Sequence, residues 1–225
     1  MLLYRIVEFA LGHAKHLMES AALILSVVNG AVLLRSYLRD KPKLLIEVIH
    51  PEVYQWWFPL PGRVRSDGQE TRAFGFVAYV GISNSGLRKV QLKSWRLAVR
   101  SKRLRKIHLK PINMPEVEIG IGSYRKYLGV LGQQGVHFGG DTLIDSGCSI
   151  SGTVFFKYEC YGDSGWDPPC FNNRIRGDFR ITDIFGGKAS TTILFTKKTL
   201  EEMRVMAPDI GNFEPPSPSK DDVPS

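Results

Sequence analysis

The densest group of chemically active side chains in the sequence is a run of cations between residues 88 and 110. Ten Lys or Arg residues and no Asp or Glu fall in this segment. Five of them crowd its centre: Arg100, Lys102, Arg103, Arg105 and Lys106. Such a group could contact phosphates of nucleic acid or of anionic lipid, because each contact releases counterions or adds about 1 kcal/mol near an anionic leaflet. A solvated turn that guards a sheet edge would use the same residues. The sequence predicts an anion-binding hairpin, with that alternative open.

Residues suited to catalysis do not form a motif. The five histidines have no neighbours that could activate them as bases: His13, His16, His50, His108 and His137. The glycine series from Gly129 to Gly140 lacks the Lys-Ser/Thr ending of a phosphate-binding loop. We therefore expect no enzyme and no cofactor. An enzyme would need a pocket between residues 124 and 170 that gathers four side chains: His137, Asp141, Cys148 and Asp163.

The cysteines are Cys148, Cys160 and Cys170, an odd number with irregular spacing. Cysteines of this number and spacing do not suit the disulfide framework of a secreted protein, and they favour a reducing compartment. Cys160 and Cys170 could pair if the domain were exported. No Cys-x-x-Cys or His-x-His spacing supports a metal site.

Composition bounds the size and charge of the molecule. With 225 residues, 43% of them hydrophobic, the chain can form one good core plus an appendage. The formal charge of +8 indicates an anionic partner.

Residues 1–40 are almost free of Gly and Pro, which predicts a long helix. Residues 20–34, SAALILSVVNGAVLL, carry no charge and lie between Glu19 and Arg35. At 15 residues this run is shorter than the roughly 20 of a typical span, although flanking apolar residues and a snorkelling Arg35 lengthen it. The residues expected to meet lipid are Leu23, Ile24, Leu25, Val27, Val28, Val32, Leu33 and Leu34. The sequence thus predicts a membrane anchor.

Charges flanking this run predict its orientation. Arg35, Arg39, Lys41 and Lys43 follow it and outnumber the cations before it, so the positive-inside rule places the following domain in the cytoplasm. The alternative is a wholly cytoplasmic chain whose helix packs in an oligomer or against a partner protein.

From residue 41 to residue 198 the apolar pattern changes to the alternation of β-strands. About eight strands separated by turns predict an antiparallel β-sandwich of immunoglobulin type. A change of phase between Leu92 and Trp95 predicts a β-bulge. We expect Leu104 to lie on the strand that pairs with the one through Trp95. We expect the Trp56-Trp57-Phe58 cluster in a long loop or an irregular edge that packs over the open end of the sandwich. The predicted core is Phe74, Phe76, Val80, Trp95, Leu97, Val154, Phe156, Ile181 and Ile193.

The last segments are short. Thr199 and Glu202 have the spacing of a capping box and predict a helix over residues 199–207. Residues 208–225, rich in Pro, Ser and charge, predict a disordered tail.

Three segments together resemble a loose class of small uncharacterised bacterial proteins with an N-terminal hydrophobic helix and an immunoglobulin-like domain. They are the basic junction Arg39-Asp-Lys-Pro-Lys-Leu44, the turn Ile82-Ser-Asn-Ser-Gly-Leu-Arg-Lys-Val90 and the strand Gly147-Cys-Ser-Ile-Ser-Gly-Thr-Val-Phe-Phe156. The resemblance covers roughly residues 20–196 and implies a fold but no activity.

The expected function is that of a non-enzymatic binding or sensing module that the helix tethers to a membrane. The alternative is a soluble nucleic-acid-binding or oligomeric interaction protein that uses the basic hairpin 88–110.

Overall fold

A computed structural model describes residues 2–64, 68–113, 117–121, 124–132, 143–208 and 210. This part of the chain contains two α-helices and eleven strands. In chain order they are α1 (Leu2–Asp40), β1 (Leu44–Val48), β2 (Gln55–Leu60), β3 (Arg72–Asn84), β4 (Val90–Arg100), β5 (Lys106–Leu109), β6 (Val117–Ile121), β7 (Tyr124–Leu128), β8 (Leu143–Ile144), β9 (Ser149–Cys160), β10 (Arg174–Asp183), β11 (Lys188–Lys197) and α2 (Leu200–Met206).

The N-terminal helix α1 confirms the predicted helix almost to the residue. It ends at Asp40, just before Lys41-Pro42, because the residue before a proline is pushed out of helical geometry. Residues 18–40 form a segment long and apolar enough to cross a membrane, and none of it is buried in the protein. At 23 residues the segment is about 34 Å long, which matches the hydrocarbon core of a bilayer.

Strand β3 organises the β domain. One of its edges pairs along its whole length with β9, as in Phe76 opposite Phe156. Its other edge pairs first with β2 and then with β1, both antiparallel. Between β1 and β2 the chain leaves the sheet, and the buried Gln55 side chain bonds in place of the missing backbone pairs. Its amide nitrogen donates to the carbonyl oxygens of Ile49 and Tyr79, and its amide oxygen accepts from the Tyr79 N–H.

Strand β2 also connects this region to the rest of the sheet. Trp56 and Trp57 pair in parallel with Thr196 and Lys197 of β11, and β10, β4 and β5 follow in antiparallel order. The result is a mixed sheet of nine strands, with β6 and β7 as a separate pair. The prediction of a mainly β domain is therefore confirmed. The sheet has nine strands where about eight were predicted, and it is mixed rather than antiparallel because β2 and β11 pair in parallel.

The main core lies between two parts of this sheet that face each other. Phe76 of β3 meets Phe195 of β11 with ring centroids 5.3 Å apart, and Phe156 of β9 meets Phe179 of β10 at 6.0 Å. Eight of the nine predicted core residues are buried in this cluster. The ninth, Phe74, is half-buried and packs against it.

The Trp56-Trp57-Phe58 cluster is not a loop or an edge over the open end; it is the middle of strand β2. Both faces of this strand are buried. Trp57 contributes to the main core, whereas Trp56 and Phe58 pack into a second cluster on the other side of the sheet. Pro59 lies beyond the two residues that pair with β11, so its missing N–H removes no bond from that pairing.

Helix α2 covers this second cluster with Met203, which is fully buried. The predicted capping box is confirmed: the Thr199 hydroxyl accepts from the Glu202 N–H, and the Glu202 carboxylate accepts from the Thr199 N–H. Ile210, within the segment assigned to the tail, is also buried, and residues 211–225 lie outside the described residues.

The predicted bulge is also confirmed. Ser94 lies opposite Thr182 and Leu92 opposite Asp183, so Lys93 is the extra residue of β4. Leu104 is not on a strand. It lies in the β4–β5 turn with a positive φ of 61° and is 76% exposed.

Candidate anion-binding face

The outer surface of strands β4, β5, β10 and β11 carries a concentration of cations, called here the basic face. Alternation along each strand sets which residues point outward. On β4 the inward Leu97 is fully buried, and on β10 Phe179 is fully buried. Their neighbours Arg96 and Arg180 are exposed on the opposite side of the sheet.

A groove of about 380 Å³ runs across this face. Its lining residues are Lys93, Ser94, Arg96, Ala98, Lys106, His108, Asp178, Arg180, Thr182 and Lys188. They include five Lys or Arg side chains and one carboxylate, so the lining carries a formal charge of +4. The groove is therefore suited to phosphate or carboxylate groups.

Arg96 and Arg180 form the centre of the groove. They are directly opposite each other in the antiparallel β4–β10 pair. Like charges in this position destabilise a sheet by about 0.2–1 kcal/mol. Within the part of the chain that the structure describes, neither arginine forms an ion pair. An anion bound between the two guanidinium groups would offset this repulsion.

Asp178, the single carboxylate among the described residues of the groove, lies at one end and is already paired. Lys106 Nζ is 3.5 Å from one oxygen, and Arg176 Nε is 4.0 Å from the other. The Thr192 hydroxyl donates to that second oxygen at 3.2 Å. Among the described residues, Asp178 therefore does not compensate the charge of Arg96 and Arg180.

The five cations predicted as an anion site are divided by the structure. Lys106 lies in the groove, and Arg100 is opposite it across the β4–β5 pair. The other three, Lys102, Arg103 and Arg105, lie in the turn between the strands, here called the hairpin tip.

The hairpin tip is held against the segment that follows β9. Arg103 pairs with Asp163, and Lys102 Nζ is 3.8 Å from an Asp167 oxygen. The guanidinium groups of Arg103 and Arg105 lie 5.1 Å and 5.5 Å from the centroid of the Trp166 ring. These contacts give the tip cations partners within the chain, in contrast to Arg96 and Arg180.

Sequence reasoning did not identify Arg180 or Lys188 as site residues. They lie far along the chain from the cation run, and the β4–β10 and β10–β11 pairings bring them to it. The signal available in the sequence was the alternation of Arg176, Asp178 and Arg180 with Ile175, Gly177 and Phe179, which places the charged residues on one face.

The cysteines are free thiols. Cys148 and Cys170 are exposed, while Cys160 is buried beside the Arg72–Asp167 ion pair. Burial, and then the neighbouring Asp167 carboxylate, raise the pKa of the Cys160 thiol. Arg72 Nε donates to Asp167 at 2.7 Å, a hydrogen bond that raises the pKa of the arginine.

The four residues of the enzyme alternative are not all described, since His137 and Asp141 lie outside the described residues. Cys148 and Asp163 are described and flank β9 at opposite ends. A 12-residue strand is about 40 Å long, so these two do not share a pocket. Among the described residues, His, Cys, Asp and Glu side chains form no group of three that could hold a metal.

No protein-family model matches this chain, and no curated protein matches its sequence. Among solved structures, a Bordetella pertussis protein provisionally named ApaA is 12% identical, with a TM-score of 0.26 over 70% of this chain and 96% of its own. The structural genomics target SoR45 is 10% identical, with a TM-score of 0.27 over 71% of this chain and 89% of its own. Scores of this size assign neither a fold nor a function.

Proposed function

We propose that this chain is a non-enzymatic, membrane-tethered module that binds an anionic partner on the basic face. The observation that carries the proposal is the opposed, uncompensated pair Arg96 and Arg180 in a groove with a formal charge of +4. Opposed like charges weaken a strand pair, and an anion bound between them would offset that cost, which supports a ligand at this position.

The surface of α1 supports the tether. The eight residues expected to meet lipid are all more than half exposed, so the helix does not bury them against its own β domain. A helix that is apolar on all sides needs a bilayer or a partner protein around it. The cations Arg35, Arg39, Lys41 and Lys43 follow the span, which supports a cytoplasmic β domain.

We further propose that the β domain is an immunoglobulin-like sandwich. In this assignment β1, β2, β3 and β9 form one layer, and β11, β10, β4 and β5 form the other. The ring contacts Phe76–Phe195 and Phe156–Phe179 support two layers packed face to face. The short parallel pairing of β2 with β11 joins them at one edge.

The lining of the groove favours phosphate or carboxylate recognition over stacking of bases. The described residues that line it include no Phe, Tyr or Trp. Proteins that bind single-stranded nucleic acid use such rings as stacking platforms. Two arginines side by side offer paired donors that match the oxygens of a phosphate or carboxylate group.

The test replaces both arginines, as Arg96→Gln with Arg180→Gln, in the full chain. We expect binding to poly-glutamate or tripolyphosphate to weaken by roughly tenfold or more, because charge-assisted hydrogen bonds contribute about 1.5–3 kcal/mol each. Thermal stability should stay equal or rise, since the substitution removes repulsion across the strands. Titration calorimetry and thermal unfolding measure the two effects.

A matched control removes two charges from the hairpin tip, as Lys102→Gln with Arg105→Gln. Binding that falls with the control and not with the groove variant would overturn the proposal and return the site to the tip. Retention of duplex DNA by the wild type, without retention of poly-glutamate, would favour the nucleic-acid alternative.

A further inference from the structure

We infer that the end of the β domain next to α1, called here the proximal end, docks on the surface of an anionic bilayer. The inference rests on the proposed tether and adds a second, peripheral contact between the domain and lipid. The proximal end consists of the junction 41–43 and the turns 84–90, 144–148 and 183–187.

Asn84 ties most of this end together. Its side-chain oxygen accepts from the Lys43 and Gly86 N–H groups, and its amide nitrogen donates to the Arg88 carbonyl oxygen at 2.7 Å. The same amide reaches the carbonyl oxygens of Ile144 and Asp145 at 3.4 Å. The turns are therefore fixed relative to the point where α1 enters the domain.

Three large apolar side chains are exposed at the tips of these turns. Leu87 is 59% exposed, and Ile184 and Phe185 are 50% and 62% exposed. Phe185 lines a groove of about 350 Å³ together with Tyr37 and Pro42, so its turn is next to the helix end. Exposed apolar residues beside a span can insert into the headgroup region.

Cations accompany these apolar tips. The Arg88 guanidinium and the Lys41 ammonium lie 5.4 Å and 5.2 Å from the centroid of the Tyr37 ring. Neither forms an ion pair with another described residue. Each cation close to an anionic leaflet contributes about 1 kcal/mol of binding.

Tyr37 sets the depth of the end relative to the bilayer. It lies three residues, or about 4.5 Å of helix, before Asp40, the end of the apolar segment 18–40. Tyrosines this close to the edge of a hydrocarbon core lie at the level of the headgroups. Phe185 and Arg88 are at the same level as Tyr37 and therefore reach the same region.

The opposite end of the domain provides a matched control. Phe171, at the other end of β10, is 78% exposed, but the ten residues of this strand separate it from the proximal end by about 30 Å. Because each end has an exposed phenylalanine, the same label can be attached at two distances from the bilayer, at position 185 or at position 171.

The experiment places a single fluorophore at either height. The exposed thiols are removed as Cys148→Ser and Cys170→Ser, which leaves the buried Cys160, and Phe185→Cys or Phe171→Cys accepts an environment-sensitive maleimide label. The full chain is reconstituted in phosphatidylcholine–phosphatidylglycerol vesicles whose acyl chains carry bromine near the headgroup. We expect a blue shift and quenching of the label at 185 and neither change at 171.

Flotation of the vesicles separates the two proposals. If the chain floats but the label at 185 stays as unquenched as the label at 171, docking is overturned and the tether stands. If the chain does not float, both are overturned. Quenching at 185 that disappears when phosphatidylglycerol is omitted supports the role of Arg88 and Lys41.

Discussion

At the residue scale, Asn84 shows how one side chain can hold a whole end of the domain. It is completely buried, and its amide bonds to the junction after α1 and to the turns on either side. Its own backbone N–H donates to the Cys148 carbonyl oxygen at 3.0 Å. Few other side chains offer two donors and an acceptor in a form compact enough for this position.

We expect Asn84→Ala to lower the free energy of unfolding by about 2–3 kcal/mol, because it leaves several buried backbone groups without partners. Urea unfolding followed by tryptophan fluorescence measures the change. Asn84→Asp keeps the acceptor but places a carboxylate against three carbonyl oxygens. We expect it to lower the free energy of unfolding by at least as much as Asn84→Ala does. An aspartate variant with wild-type stability would show that the amide donors contribute little.

At the scale of elements, the sequence predicted the strands whose two faces differ. Strand β3 alternates visibly, and the phase change at Lys93 marked the bulge of β4. Strand β2 was not predicted because both of its faces are buried, which leaves an aromatic run without alternation. Gln55 shows that β2 continues the edge of β3 that β1 begins, because its buried amide bonds across the gap between the two strands. The sequence alone does not reveal these bonds.

The same reasoning explains what could be known of the basic face. The cations of β4 and β5 could be predicted to lie together, because they are close in the sequence and a hairpin brings such residues together in space. The contribution of Arg180 and Lys188 depends on strand order and register, which hydrophobic patterns do not specify.

Helix α2 offers a pH-dependent test of its cap. Hydrogen bonds from the Thr199 N–H and from Lys198 lower the pKa of the Glu202 carboxyl below its usual 4.5. The stability that this cap provides is therefore fully present above about pH 4.5 and lost as the pH falls through the lower, folded-state pKa. We expect amide hydrogen exchange in α2 to be slower in the wild type than in Glu202→Gln at pH 7, and this difference to disappear at low pH.

Comparison with the glutamine variant separates the cap from other effects of acid, since both chains share every other titratable group. A difference between the two chains that persists unchanged into acid would show that the carboxylate charge does not act through the cap.

At the scale of the whole molecule, the tether can be tested without truncating the chain. Leu25→Lys with Val28→Lys places two charges in the middle of the span, at about 2.5–3.5 kcal/mol each on insertion scales. We expect the wild type to remain in the membrane pellet after a carbonate wash and the variant to be released.

Leu45→Lys adds charge at an exposed site on β1 and serves as the control, which should behave as the wild type. Release of the unmodified chain by carbonate would contradict the tether and favour a helix that assembles with a partner protein.

The parallel pairing of Trp56 with Thr196 has a consequence for the order of events during synthesis. Strand β2, which joins the two parts of the sheet, can pair with β11 only after nearly the whole domain has been synthesised. The two parts of the sheet therefore cannot be joined while the chain is still short. At about 5–20 residues per second, the ribosome needs roughly 7–28 s to extend the chain from one partner to the other. By then α1 has long left the ribosome, and its apolar surface must find a bilayer or a chaperone before the domain it carries has folded.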